Sequence, residues 1–265
     1  MPTGSPALSI ITVVRNARDA LARTAASIRP LAEKLDIEWI VIDGASTDST
    51  MLFLGQLDEP WMRVTSEPDD GLYDAMNKGI ERARGDLVWF LNAGDLVAIP
   101  DELAGFIRSL PDGRAHRLYF GDALERDDEG TFLQKRARDP KSLHLGLFAH
   151  HQAMLFGREA LAPFRYDQRL SIAADYALVA RMWRDGVPFE RIPLPVCVFE
   201  RGGASTAHAL RGMIEQARAK HVALALPWWR AGAIGLAQIA VVGFRRLLPA
   251  VYDRLRFSRP KVAHS

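Results

Sequence analysis

Leu8-Ser-Ile-Ile-Thr-Val-Val14 and Ile37-Glu-Trp-Ile-Val-Ile42 decide the fold, together with the segment from Ala17 to Leu35 that joins them. Both runs are short, apolar and β-branched, and both stop abruptly, one at Arg15-Asn16 and the other at Asp43-Gly44. Continuous apolar runs of this length read as strands covered on both faces. Between them Ala20, Leu21, Thr24, Ile28, Leu31 and Leu35 recur at the spacing of one helix face. Strand, helix and strand within about forty residues make a βαβ unit, which implies a parallel sheet with a right-handed crossover.

Outward from this unit, Leu72 to Arg84 reads as a helix and Asp86 to Leu91 as a further buried strand. The first half is therefore expected to be a nucleotide-binding α/β layer. Beyond it, Arg117 to Leu124 and Thr131 to Arg136 flank Asp127-Asp128-Glu129-Gly130, an expected hairpin turn. Asp175 to Asp185 reads as a helix, and Pro188 to Glu200 as short strands interrupted by Pro193 and Pro195. No internal repeat or low-complexity linker divides the chain.

With 265 residues, 48% hydrophobic and 25% charged, the chain is expected to fold as one large α/β domain with an appendage. Its net charge of +2 is unevenly spread: from His208 onward ten Lys/Arg face two Asp/Glu, which leaves the preceding part at −6. An acidic body argues against nucleic acid as a partner. Cys197 is the single cysteine, so no intramolecular disulfide forms, consistent with a reducing cytoplasm. Met1 to Ala7 is short and polar, without the pattern of a secretory signal.

Three segments carry chemistry. Asp43-Gly-Ala-Ser-Thr-Asp-Ser-Thr50 places a carboxylate at a strand's C-terminal edge, where open parallel sheets bind ligands; the same residue types also cap helices. Ser66-Glu-Pro-Asp-Asp-Gly-Leu-Tyr-Asp-Ala-Met-Asn-Lys-Gly79 gathers Asp69, Asp74, Asn77 and Lys78. Here a functional reading puts Asp69 near a nucleoside and Asn77-Lys78 near phosphate oxygens, whereas the plainer one is an Asp74–Lys78 helix ion pair. Phe90-Leu-Asn-Ala-Gly-Asp95 ends a strand in a carboxylate suited to hold a divalent cation against a diphosphate, although Gly-Asp turns are common.

In this order and spacing the three segments resemble family 2 glycosyltransferases of the GT-A fold, over roughly residues 8 to 205, and bacterial exopolysaccharide enzymes of the colanic-acid type in particular. The resemblance implies a Rossmann-like, mostly parallel central sheet flanked by helices, with a C-terminal helical extension. With the charge pattern it divides the chain into a flexible N-terminus at 1–7, a transferase domain at 8–207 and a basic amphipathic helical tail at 208–265. The domain would divide into a nucleotide-sugar half (8–95) and an acceptor half (96–207). By the same resemblance a nucleoside-diphosphate sugar is bound by Thr12, Arg15, Asn16, Asp43, Asp69, Asn77, Lys78, Asn92 and Asp95. Asp95 would also bind Mg²⁺ or Mn²⁺. Asn92-Ala-Gly-Asp95 offers one carboxylate where the family has two, so a second ligand is sought elsewhere; His208 is a candidate, as is a merely capping His208. His151 and Gln152 line the acceptor groove or form a buried structural pair. Asp175 is the general base or a first-turn helix acid.

A diphosphate leaving group needs charge stabilisation more than an acid, and the incoming hydroxyl needs one base, so one carboxylate is enough for direct displacement; the resemblance implies that it proceeds with inversion. A dinucleotide oxidoreductase would need G-x-G-x-x-G where Val14-Arg-Asn-Ala-Arg18 stands, and the P-loop pattern is missing from the sequence. The remaining rival is a catalytically inactive homologue serving as a membrane-associated assembly partner. Ala231 to Phe244 carries no charge, with Trp228-Trp229 before it and Arg245-Arg246 after. That pattern suits a helix lying on an anionic membrane surface near a lipid-linked saccharide acceptor, which places the protein at the inner face of the cell membrane. The competing reading packs this segment back on the domain.

Overall fold

The computed structural model describes residues 5–127, 129–200 and 209–247. Strands β1 (Leu8–Val14) and β2 (Ile37–Asp43) are buried along their whole length and pair in parallel, Leu8 opposite Ile37 and Val14 opposite Asp43. Successive side chains on a strand point to opposite faces, so β1 feeds two cores. Ile10 joins Trp39, Trp89 and the buried stripe Leu21, Ile28 and Leu31 of helix α1 (Arg18–Ala32). Ile11 joins Ile40, Phe90 and Phe156, with Tyr73, Met76 and Ile80 of a helix that covers the other face, Leu72–Arg82. Each large apolar side chain so buried contributes about 1.5–3 kcal/mol. A one-residue slip of register would exchange the two cores, which is why the pairing is firmly specified.

After β2 come α2 (Thr50–Gln56), β3 (Met62–Ser66), the helix at Leu72–Arg82 (α3) and β4 (Leu87–Phe90). These strands lie in the order β3-β2-β1-β4, all parallel. The chain runs outward from β1 to β2 on one side and returns to β4 on the other. A crevice therefore opens beyond the strands' C-terminal ends, where Asp43 and the turn after β4 stand. The sheet continues from β4 through strands in mixed directions: β5 (Leu96–Val97), β6 (Leu118–Arg126), β7 (Phe132–Lys135), β8 (Met154–Gly157) and β9 (Phe189–Glu200). Their spatial order is β4-β8-β6-β9-β5, with β7 pairing β6. Helices α4 (Pro100–Ser109), α5 (Arg158–Leu161) and α6 (Ala174–Arg184) complete the two layers.

The expected hairpin is present as β6–β7, and Asp127 Oδ1 accepts the backbone N–H groups of Glu129 and Thr131 in its turn. In the Pro188–Glu200 region the structure differs from the sequence reading. Pro193 and Pro195 do not break it: β9 is one twelve-residue strand. The parallel pairing of β6 with β9 shifts register around Phe120 and Asp122, opposite the proline-bearing stretch, and this irregularity absorbs the missing donors.

The first tail helix is docked on the domain. Helix α7 (Ala209–Leu224) packs on α6 and sends Ala219 and Ala223 into the same core as Ile11, while α8 (Trp228–Leu247) packs on α7. Trp229 and Leu236 of α8 are 70% and 69% exposed. Among the described residues no helix is long and apolar enough to cross a membrane.

Candidate active site

Asp43, the last residue of β2, is fully buried. Its Oδ2 accepts hydrogen bonds from the Ser46 backbone N–H (2.9 Å) and the Ser66 hydroxyl (2.7 Å), the latter set by the register of β2 with β3. Its Oδ1 is buried without a partner. A buried acceptor left unpaired costs free energy until a donor arrives, so this oxygen marks a place for a ligand N–H or O–H. Gly44 follows because a Cβ there would overlap the Asp69 carboxylate, whose Oδ1 is held by the Gly71 N–H at 3.0 Å. The two carboxylates expected at the nucleoside thus meet across a glycine.

Asn16 adopts φ 51° and uses its side-chain oxygen to accept from Thr47 N (2.7 Å) and Asp48 N (3.3 Å), tying the loop after β1 to the loop after β2. The exposed Arg15 lies beside Gly44. Thr12 frames the pocket from behind. Its hydroxyl donates to Leu91 O (2.7 Å) and accepts from Trp39 Nε1 (2.9 Å) inside the core, so it offers nothing to a ligand.

The Asn92–Asp95 turn is clamped by Thr24 of α1. The Thr24 hydroxyl lies 2.9 Å from Asp95 O and accepts the Gly94 N–H at 2.9 Å, while Gly94 takes φ 103°, a conformation favouring glycine. Burial, reinforced by the charge of Glu200, pushes the Asp95 carboxyl up to about 7. Gln152 Nε2 donates to Asp95 Oδ2 at 2.6 Å, and Asn92 Oδ1 is buried without a partner. A half-buried carboxylate and an orphaned amide oxygen in one turn offer oxygen donors, the kind a hard divalent cation takes. Among the described residues no three His, Cys, Asp or Glu side chains assemble around one point, and His208 lies outside the described residues.

On the other side of the crevice, Asp175 sits in the first turn of α6 with 22% of its side chain exposed. Burial raises its carboxyl, and the neighbouring His151 only partly offsets this. Asp175 Oδ1 lies 3.2 Å from His151 Nε2 without forming a hydrogen bond. His151 Nε2 instead meets the Tyr166 hydroxyl at 2.7 Å. Burial, with Asp175 nearby, raises the Tyr166 hydroxyl far above its ordinary range, so it stays protonated, and the direction of its bond to His151 follows the imidazole tautomer. Tyr166 stacks on Tyr73 (ring centroids 5.3 Å), which carries the network into α3.

Two expected phosphate ligands are elsewhere. The Asn77 side chain donates to Tyr166 O (3.0 Å) and accepts from Tyr166 N (2.9 Å), a closed pair that ties this amide to the backbone in the interior. Lys78 Nζ is engaged by Asp74 (3.1 Å), Glu67 (3.3 Å) and Pro68 O (2.9 Å), which is the plain ion-pair reading of that helix. The sequence reading missed Tyr166, Tyr73 and Thr24 as parts of this site. Tyr166 and Thr24 lie outside the three motifs, whereas Tyr73 lies inside the second, an aromatic in an otherwise polar stretch.

A family model described as glycosyl transferase family 2 matches residues 9–165. An uncharacterized glycosyltransferase of Mycobacterium tuberculosis is 36% identical over 186 residues, 68% of this chain and 70% of the relative. A PGL/p-HBAD biosynthesis glycosyltransferase of the same organism is 28% identical over 176 residues, 64% of each chain. The mannosyltransferase PcManGT from Pyrobaculum calidifontis, solved with GDP-Man and Mn²⁺, superposes with a TM-score of 0.62 at 17% identity. That superposition covers 94% of this chain and 79% of the other, and it shows the shared GT-A fold. By sequence and by fold, the chain belongs to glycosyl transferase family 2.

Proposed function

We propose that the protein transfers a sugar from a nucleoside diphosphate to an acceptor hydroxyl by inverting displacement, with Asp175 as the base. The observation that supports this is a pair of buried carboxylate oxygens with no hydrogen-bond partner, Asp43 Oδ1 at the end of β2 and Asp175 Oδ1 in the first turn of α6. Asp43 and Asp69 take the nucleoside's N–H and O–H groups. Asp175 accepts the proton of the incoming hydroxyl as its oxygen bonds the anomeric carbon, and the bond to the diphosphate oxygen breaks on the opposite face. Its raised carboxyl suits that role, since a base must not be too weak.

Mg²⁺ or Mn²⁺, held by Asp95 and Asn92, would neutralise charge on the departing diphosphate. Gln152 orients Asp95 for it, and His151 with Tyr166 shapes the acceptor side. A saccharide, free or lipid-linked, is the acceptor in this reading. The exposed Trp229 and Leu236 support work at an anionic membrane surface, and this reading places that surface on the cytoplasmic face of the cell membrane.

The test is calorimetric titration with UDP, GDP and dTDP, each with and without Mn²⁺, followed by turnover of the matching nucleotide sugar. One nucleotide should bind, Asp43→Ala should abolish that binding, and Asp175→Asn should cut turnover while leaving nucleotide affinity nearly unchanged. Equal loss of both in Asp175→Asn overturns the base assignment.

A further inference from the structure

We propose that Glu215, on the C-terminal helix α7, is a positioning residue for Asp175, so that a helix outside the family-matched region completes the transfer site. The inference rests on Asp175 being the base. The Glu215 carboxylate accepts three consecutive backbone N–H groups, from Ser171 (3.2 Å), Ile172 (2.8 Å) and Ala173 (3.0 Å). These lead directly into α6, whose N-terminus receives no cap from its own side chains. Helix entrances carry unpaired N–H groups and a partial positive charge, and a carboxylate arriving from another element satisfies both.

The arrangement is built rather than incidental. Glu215 is 6% exposed, and Arg211 donates to its Oε1 at 3.1 Å one turn earlier on α7. Although burial raises a carboxyl, the three backbone donors and Arg211 outweigh it and hold Glu215 below its ordinary range. At Gly212 a Cβ would crowd the Ile172 side chain, so Ile172 seats directly against the α7 backbone. From the opposite side the Tyr73 hydroxyl, on α3 of the donor half, donates to Ile172 O at 3.1 Å. The segment Ser171 to Ala173, which ends two residues ahead of Asp175, is thus held by both α3 and the C-terminal helix. A displacement of about 1 Å at such a point costs roughly a hundredfold in rate.

Full-length Glu215→Ala, Glu215→Gln and Asp175→Asn test this. Nucleoside diphosphate affinity comes from titration with UDP, GDP and dTDP, and kcat from the nucleotide sugar of the one that binds. Glu215→Ala should lower kcat by about ten- to a hundredfold with nucleotide affinity within about twofold. Glu215→Gln, which keeps one carbonyl acceptor, should recover part of the loss. The ¹⁵N signals of the His151 ring, which faces Asp175, should move in Glu215→Ala and return toward wild type in Glu215→Gln. An unchanged kcat, or kcat and nucleotide affinity falling in step, overturns the positioning role and leaves Glu215 a strut. If Asp175→Asn keeps its turnover, the base assignment and this inference fall together. If Asp175→Asn is inactive while Glu215→Ala is not, this inference alone falls.

Discussion

Gln152 donates its side-chain amide to Asp95 Oδ2 at 2.6 Å, joining a residue expected on the acceptor side to the turn expected to serve the leaving group. The two halves of the site therefore share a hydrogen bond. Gln152 reaches this position because β8 pairs antiparallel with β4, which brings the turn before β8 beside the turn after β4.

Asp95 is held at a cost to stability. Its carboxyl sits at about 7 in the fold, against an ordinary 3.8. A folded-state value above the unfolded one gives stability that is fully present below the ordinary carboxylate range and is lost as pH rises through about 7. Asp95→Asn keeps an acceptor for Gln152 and has no proton to lose. In EDTA its melting temperature should gain on wild type between about pH 5 and pH 8, while sugar transfer is abolished. Calorimetric scans at both pH values check this, and a difference from wild type that stays constant between them would refute it.

Asn77 should behave as a structural residue. Asn77→Ala orphans the N–H and the carbonyl of Tyr166 in the interior, at about 1–3 kcal/mol for each group left unpaired. Asn77→Asp keeps the acceptor and loses the donor, so about half of that penalty is expected. Urea unfolding measures the loss, and nucleotide titration at a temperature where the variant is folded should match wild type. A drop in nucleotide affinity at unchanged stability would restore Asn77 to the phosphate site.

Gly44 separates packing from binding. A Cβ at this position meets the end of the Asp69 side chain, which can swing away, so Gly44→Ala should fold normally with Asp69 displaced. Losing one charge-assisted hydrogen bond of about 1.5–3 kcal/mol predicts a nucleoside diphosphate affinity lower by about ten- to a hundredfold. Titration beside a thermal melt distinguishes this from general damage; unchanged affinity would remove Asp69 from the nucleoside pocket.

What was legible in the sequence follows from what each signal depends on. The strands β1 and β2 declared themselves because burial on both faces demands unbroken apolar runs. Asp43 and Asp95 were legible because strand ends at a crevice are fixed by topology. The partner of Asn77 was not legible because an Asn beside a Lys on an amphipathic helix looks the same whether it faces a phosphate or a distant backbone. Its partner Tyr166 lies 89 residues away, in a segment with no pattern of its own. The prolines of β9 suggested breaks because the sequence does not show that an irregular register opposite them removes the need for their N–H groups. Glu215 was invisible for a related reason: it is one of two acids in a basic tail, and only the docking of α7 gives it three donors.

The tail yields the last prediction. Trp228 stacks on His221 at 4.2 Å and is partly committed to the α7–α8 corner, whereas Trp229 is 70% exposed with Arg230 over its ring. Leu236, two turns along α8, is exposed to a similar degree. Aromatic, arginine and aliphatic groups on an otherwise uncharged helix bind where acyl chains meet headgroups, and basic residues nearby favour anionic lipid. Full-length protein should therefore float with phosphatidylglycerol vesicles and far less with phosphatidylcholine, and added salt should weaken the binding. Trp229→Ala with Leu236→Gln should reduce flotation several-fold without lowering the melting temperature, because neither side chain is part of the core. Equal flotation of this double variant and wild type, or equal binding to both lipids, would show that α8 serves some purpose other than membrane contact.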